Sequence, residues 1–171
     1  MEIERKFTIR RLPDQLECYE KKEIEQGYLC TDPVVRIRRS NDSYILTYKG
    51  HIARKDTTAR VCNELEAPLS ESSYLHLREK TDNHMVKKCR YIIPLENGLR
   101  VELDIFAGRL EGLVFAEVEF PDEQAAQDFI MPEWFLEDVS GDCRYSNSFL
   151  SGADSYEDWK KAGRDQQIYG C

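Results

Sequence analysis

Like charges separated by one residue recur along this chain. Glu2 and Glu4 precede Lys6; Arg36 and Arg38, Glu64 and Glu66, Lys88 and Arg90, Glu102 and Asp104, and Glu117 and Glu119 follow, with Lys49 two residues after Thr47. A spacing of two puts both members of a pair on one face of a β-strand, because successive side chains alternate sides. Paired buried carboxylates repel and need a cation; buried Arg and Lys need an anion. Carboxylate oxygens are hard ligands suited to a divalent cation. Guanidinium groups take phosphoryl oxygens in a fork. A polyphosphate held with Mg²⁺ or Mn²⁺ satisfies both sets at once.

These pairs need strands to carry them. β-type runs are expected over residues 1–9, 25–30, 34–39, 43–49, 59–67, 85–93, 99–106 and 113–120. Ser40-Asn41-Asp42 and Asn97-Gly98 are hairpin turns between them. Helices are expected from Leu12 to about Lys22, with Pro13 in the first turn, from Ser70 as a cap to about Lys80, and from Asp122 through Ile130. Residues 51–57 are a polar, basic loop, and a helical turn follows Asn147.

Seven of these eight strands carry charge on one face, and the opposite face is largely apolar. An open sheet with its charged face in water also alternates. It does not explain the sorting of sign by strand, since a face tuned for solubility mixes signs. The expected fold is therefore mainly β with added helices (α+β). The sheet is a closed eight-stranded antiparallel β-barrel with a charged interior and helices packed on the outside, and its interior has room for one small ligand.

At 171 residues, 41% hydrophobic and 33% charged, the chain is globular and long enough for a core. The formal charge of −8 argues against a DNA or general nucleic-acid partner. No apolar run is long enough for a membrane span, and no signal-peptide pattern is present. The six cysteines make no C-x-x-C pair or zinc spacing and are expected as thiols in a reducing cytoplasm. No G-x-x-x-x-G-K-[ST] loop is present. Tyr28, Tyr48, Tyr91 and Trp134 are expected to pack rather than to stack on a base, and His51, His76 and His84 to lie at the surface.

Glu2-Ile3-Glu4-Arg5-Lys6 has the form E-x-E-x-K and resembles the signature of the CYTH, or triphosphate tunnel metalloenzyme, superfamily. The resemblance continues in order through Arg36-Ile37-Arg38, Thr47-Tyr48-Lys49-Gly50, Glu64-Leu65-Glu66, Lys88-Cys89-Arg90-Tyr91, Asp104-Ile105-Phe106 with Gly108 and Gly112, Ala116-Glu117-Val118-Glu119 and Asp142-Cys143-Arg144-Tyr145-Ser146-Asn147. It covers residues 1–151, a tunnel domain, and leaves 152–171 as a helical or flexible extension. The resemblance implies divalent-metal-dependent hydrolysis of a small triphosphate, with inorganic triphosphate first and ATP or thiamine triphosphate as further substrates. It implies metal ligands at Glu2, Glu4, Glu117 and Glu119, with Glu64 and Glu66 as further metal carboxylates. Triphosphate contacts are implied at Lys6, Arg36, Arg38, Lys49, Lys88 and Arg90, and Arg144 belongs to a segment closing over the tunnel. Glu2, Glu4, Lys6, Lys88, Glu102 and Asp104 are the implied catalytic set, and Mg²⁺ or Mn²⁺ the cofactor. Members often carry an Arg two residues before the paired glutamates of the fifth strand; here that position is Cys62, with Arg60 four before Glu64. A class IV-type adenylate cyclase, an organic triphosphate hydrolase and a non-catalytic polyphosphate-binding module remain alternatives. A homodimer is compatible with the sequence, which does not set the oligomeric state.

Overall fold

The computed structural model describes residues 3–52, 61–96 and 98–165. The expectations at Glu2, 53–57, Arg60, Asn97 and the side chains of His51 and Cys62 lie outside the described residues. Nine antiparallel strands form one sheet in the order β5-β4-β3-β2-β6-β7-β8-β1-β9. They are β1 (Ile3–Ile9), β2 (Glu20–Thr31), β3 (Val34–Ser40), β4 (Ser43–Ile52), β5 (Val61–Pro68), β6 (Asp82–Pro94), β7 (Arg100–Phe106), β8 (Val114–Phe120) and β9 (Phe135–Asp138). The β3–β4 hairpin turns at Asn41, whose φ of 51° suits the left-handed preference of asparagine. Among the described residues no helix is long and apolar enough to cross a membrane.

Two expectations are corrected here. The sheet is not a closed eight-stranded barrel. β1 pairs with β8 on one side and with β9 on the other, so the edge that closure needs is taken by a ninth strand, and β5 and β9 are the two ends of the sheet. The helix expected from Leu12 to Lys22 is also absent. Gln15 takes a left-handed backbone at φ 56°, a single 3-10 turn covers Leu16–Cys18, and β2 begins at Glu20. β2 is laddered on both sides, to β3 and to β6. Pairing of Glu20–Glu23 with β6 outweighs the helix preference of this Glu/Lys-rich stretch.

The apolar outer face is covered as expected over its β1–β7–β8 part. Phe7, Leu103, Ala116 and Val118 form a core with Phe120 and Phe135. Helix α1 (Glu71–Arg78), capped by Ser70, sets the Tyr74 hydroxyl 2.9 Å from Glu25 Oε1. Helix α2 (Glu123–Asp128) is capped by the Asp122 carboxylate, which accepts from the Ala125 amide at 2.7 Å, and buries Ala126 against the first core.

The remaining helices change the picture of a purely charged interior. Val86, Phe106 and Phe115 fall on the same faces as Lys88, Asp104 and Glu117, by the alternation of β6, β7 and β8. They pack with Leu110, Tyr145, Leu150 and Trp159 into a second core. Leu150 comes from α3 (Asn147–Gly152) and Trp159 from α4 (Tyr156–Asp165). Helix α3 thus lies on the charged side of the sheet, not outside it. Its C-terminal end is held by Arg109, which donates to the carbonyls of Leu150, at 2.9 Å, and Ala153.

Candidate active site

The charged faces of β1 and β3 to β8 converge on one cavity of about 180 Å³, which Asn147 of α3 completes. Lys6, Arg36, Arg38, Lys49 and Arg90 line it together with Glu4, Glu64, Glu66, Glu102 and Glu117. Among the described residues every lining group is charged or an amide, and no aromatic ring lines the cavity. Strands from both halves of the sheet line this one cavity.

One wall is a continuous ion-pair network. Lys88 Nζ sits 2.5 Å from Asp104 Oδ2, and both side chains are fully buried. Arg90 forks onto the same carboxylate, Nε to Oδ1 at 2.7 Å and Nη2 to Oδ2 at 2.7 Å. It also donates to Glu117 Oε2 at 2.6 Å and to Glu102. Lys6 Nζ takes Glu117 Oε1 at 2.5 Å and lies 3.1 Å from Glu4. Both oxygens of Glu117 are therefore occupied by cations. Burial disfavours its charge, but Arg90, Lys88 and Lys6 outweigh that and hold its carboxyl well below the usual range. Burial also works against the Lys6 ammonium, yet Glu117 and Glu4 raise its pKa. Lys88 goes the other way: burial and the Arg90 charge push it down to about 8 despite Asp104.

The opposite wall is built differently. Arg36 donates to the Thr47 hydroxyl at 3.1 Å, and Arg38 to the Gln26 carbonyl at 3.1 Å. Both partners are neutral. Arg36 Nε is buried and has no hydrogen-bond partner among the described residues. Burial, then the charges of Arg36 and Arg90, lower Arg38 to about 10. A buried and a part-buried guanidinium met by neutral acceptors are chemically suited to an anion. Beyond them Lys49 lies 3.2 Å from Glu64, and Thr47 donates to Glu66 at 3.2 Å.

Of the residues singled out in the sequence, ten thus line the cavity, while Lys88 and Asp104 lie buried behind its wall. Glu119 stands apart: it pairs in register with Glu4 but lines a neighbouring hollow with Glu102 and Arg100. Arg144 is also apart, bound to Asp142 and stacked over the Tyr145 and Trp159 rings at 5.9 and 5.6 Å. Tyr91 and Trp134 pack on the outer core, and Tyr28 is buried. Three uncharged residues were given no role from the sequence, although Thr47 and Asn147 stand within the quoted motifs. Gln26 is wholly buried beside Arg38, Thr47 bridges Arg36 and Glu66, and Asn147 lies 3.3 Å from Lys88 Nζ. The alternation of β2 around Tyr28 is the signal that points to Gln26. Among the described residues no three His, Cys, Asp or Glu side chains converge as a preformed metal cage.

Comparison with known proteins adds two curated relatives. The inorganic triphosphatase of Nitrosomonas europaea is 38% identical over 156 residues, spanning 88% of this chain and 96% of that protein. The inorganic triphosphatase of Acetivibrio thermocellus is 38% identical over 152 residues, spanning 87% and 92%. The crystal structure of the inorganic triphosphatase NE1496 matches with a TM-score of 0.69 at 36% identity, covering 91% of this chain and 97% of that one. The Hippeastrum protein HpAC1, whose structure is described as revealing a dominant triphosphatase activity, matches with a TM-score of 0.54 at 15% identity over 74% of this chain and 83% of that one, a likeness of fold alone. No protein-family model matches the chain.

Proposed function

Because the chain belongs to the family of these inorganic triphosphatases, within the triphosphate tunnel (CYTH) superfamily, we propose that it hydrolyses inorganic triphosphate with a divalent cation and releases phosphate. The observation that carries the reading is the Arg36–Arg38 pair, which among the described residues faces a polar cavity and hydrogen-bonds neutral partners. A cavity with no aromatic ring among its described lining residues favours a substrate with no base or thiamine to stack.

In this reading Lys6, Arg36, Arg38, Lys49 and Arg90 donate to phosphoryl oxygens. They stabilise the charge that builds on the equatorial and leaving oxygens. Lys88 and Asp104 do not reach the cavity; they hold Arg90 in place from behind. The donor chemistry fits Mg²⁺ or Mn²⁺: Glu4, Glu64 and Glu66 offer hard carboxylate oxygens on the cavity wall, with Glu119 the next carboxylate beside Glu4. Such a cation takes few protein ligands and completes its shell with substrate phosphate and water. When bound, it neutralises phosphoryl charge and makes water a better nucleophile. Glu117 serves instead as the shared counter-charge of Lys6 and Arg90. Curling of the sheet into a tunnel around the substrate belongs to the same proposal. So does a reducing cytoplasm, with which Cys18, Cys30 and Cys89, none in a disulfide, agree.

A substrate panel tests the reading: inorganic triphosphate, ATP, thiamine triphosphate and pyrophosphate, each with Mg²⁺ or Mn²⁺, with products identified. Phosphate release is expected to be fastest from inorganic triphosphate. Cyclic nucleotide and pyrophosphate from ATP would make the chain a cyclase, and tight binding without turnover a binding module.

A further inference from the structure

Among the described residues, the cations of the cavity divide into two kinds. Lys6, Lys49 and Arg90 each meet a carboxylate, whereas Arg36 and Arg38 meet Thr47 and Gln26. We propose that Gln26 and Thr47 are positioning residues that hold the Arg36–Arg38 pair in orientation while denying it a counter-charge, so that a triphosphate becomes the counter-ion. This rests on the triphosphatase reading of the site.

Gln26 is fully buried on β2, in register with Arg38 of β3 and Val86 of β6. Both ends of its carboxamide are used. Oε1 accepts from Arg38 Nε at 3.1 Å, and Nε2 donates to the Tyr28 hydroxyl at 3.3 Å. The position touches the part-buried Arg38 guanidinium, whose charge Arg36 opposes, and a carboxylate of the same size there would relieve that repulsion. A neutral amide fixes the direction of Arg38 and leaves its charge uncompensated. Stability alone does not favour that choice; anion binding does.

Thr47 performs the corresponding service for Arg36. Its hydroxyl accepts from Arg36 at 3.1 Å and donates to Glu66 at 3.2 Å. Only a group that is both donor and acceptor can stand between a guanidinium and a carboxylate in this way. It keeps Glu66 off Arg36 and leaves that carboxylate on the cavity wall.

Gln26→Glu separates this role from a merely structural one. The variant is expected to melt higher than wild type, because the part-buried Arg38 gains a charged partner. Its KM for inorganic triphosphate should rise at least ~10-fold with a smaller change in kcat. Its Kd for inorganic triphosphate without divalent cation, measured by calorimetry, should weaken in parallel. Thr47→Val should raise KM likewise, and Thr47→Ser should restore it. A Gln26→Glu protein that melts lower than wild type or fails to fold overturns the inference. So does one whose KM and Kd stay within about twofold of wild type, or a Thr47→Val protein with unaltered KM. If wild type itself neither binds nor hydrolyses inorganic triphosphate, the reading of the site has failed, and the melting comparison still tests the missing counter-charge.

Discussion

Lys88 Nζ lies 2.5 Å from Asp104 Oδ2 with neither side chain exposed. The same carboxylate receives Arg90 at both oxygens, so one aspartate is shared by two buried cations, while Arg90 also meets Glu117 and Glu102. This arrangement is the base of the cationic wall, and it sits next to the apolar cluster under α3, where Lys88 Nζ lies 5.5 Å above the Phe106 ring.

Asp104→Asn leaves Lys88 with a neutral partner and Arg90 with Glu102 and Glu117 alone. Breaking a buried pair from one side costs about 3–5 kcal/mol. Chemical denaturation should show a loss of that order together with lost activity; a variant as stable as wild type would contradict the assigned role.

Glu4→Gln is expected to behave in the opposite way. The side chain is among the more exposed of the site, and its carboxylate is a proposed cation ligand. The protein should stay folded by circular dichroism and lose metal-dependent phosphate release. Undiminished turnover would remove Glu4 from the cation site.

Arg38→Ala should act on binding first. KM for inorganic triphosphate is expected to rise more than ~10-fold with a smaller effect on kcat, the signature of lost uniform binding. Melting should not fall sharply, since the removed charge is desolvated and met by a neutral group. Steady-state kinetics with KM and kcat both unchanged would exclude contact with the substrate.

Glu25 predicts an acid limb of stability away from the cavity. Burial works against its carboxylate, but the Tyr74 hydrogen bond and the Arg78 and Lys87 charges outweigh that and lower its pKa. A pKa lower in the folded state means that the stabilisation is fully present above the unfolded value. It is lost as pH falls through the folded value. Glu25→Gln should therefore lower the melting temperature at neutral pH and narrow its difference from wild type in acid. A difference independent of pH would show that the carboxylate charge is not involved.

Much of the site was legible because its signal is charge at period two. Arg36 with Arg38, and Glu64 with Glu66, fall on one face of any strand that carries them, whatever the sheet does. Gln26, Thr47 and Asn147 were not legible, because an uncharged polar residue in a strand or at a helix start looks the same whether or not it touches a guanidinium. The β2 strand was read too short for a related reason. Glu20 to Lys22 have no apolar alternation of their own, and only pairing with β6 makes them a strand.

What the sequence by itself determined is which side chains share a face and which sign each strand carries, since both follow from the pleat. Tertiary structure alone decided how those faces meet. It gave Glu117 to Lys6 and Arg90, and moved Glu119 and Arg144 out of the cavity. It placed α3 on the charged side, and put β9 where a closing seam was expected. These outcomes depend on distances between strands far apart in the chain. No local periodicity encodes them, because pairing partners and curl are set by the packing of the whole sheet.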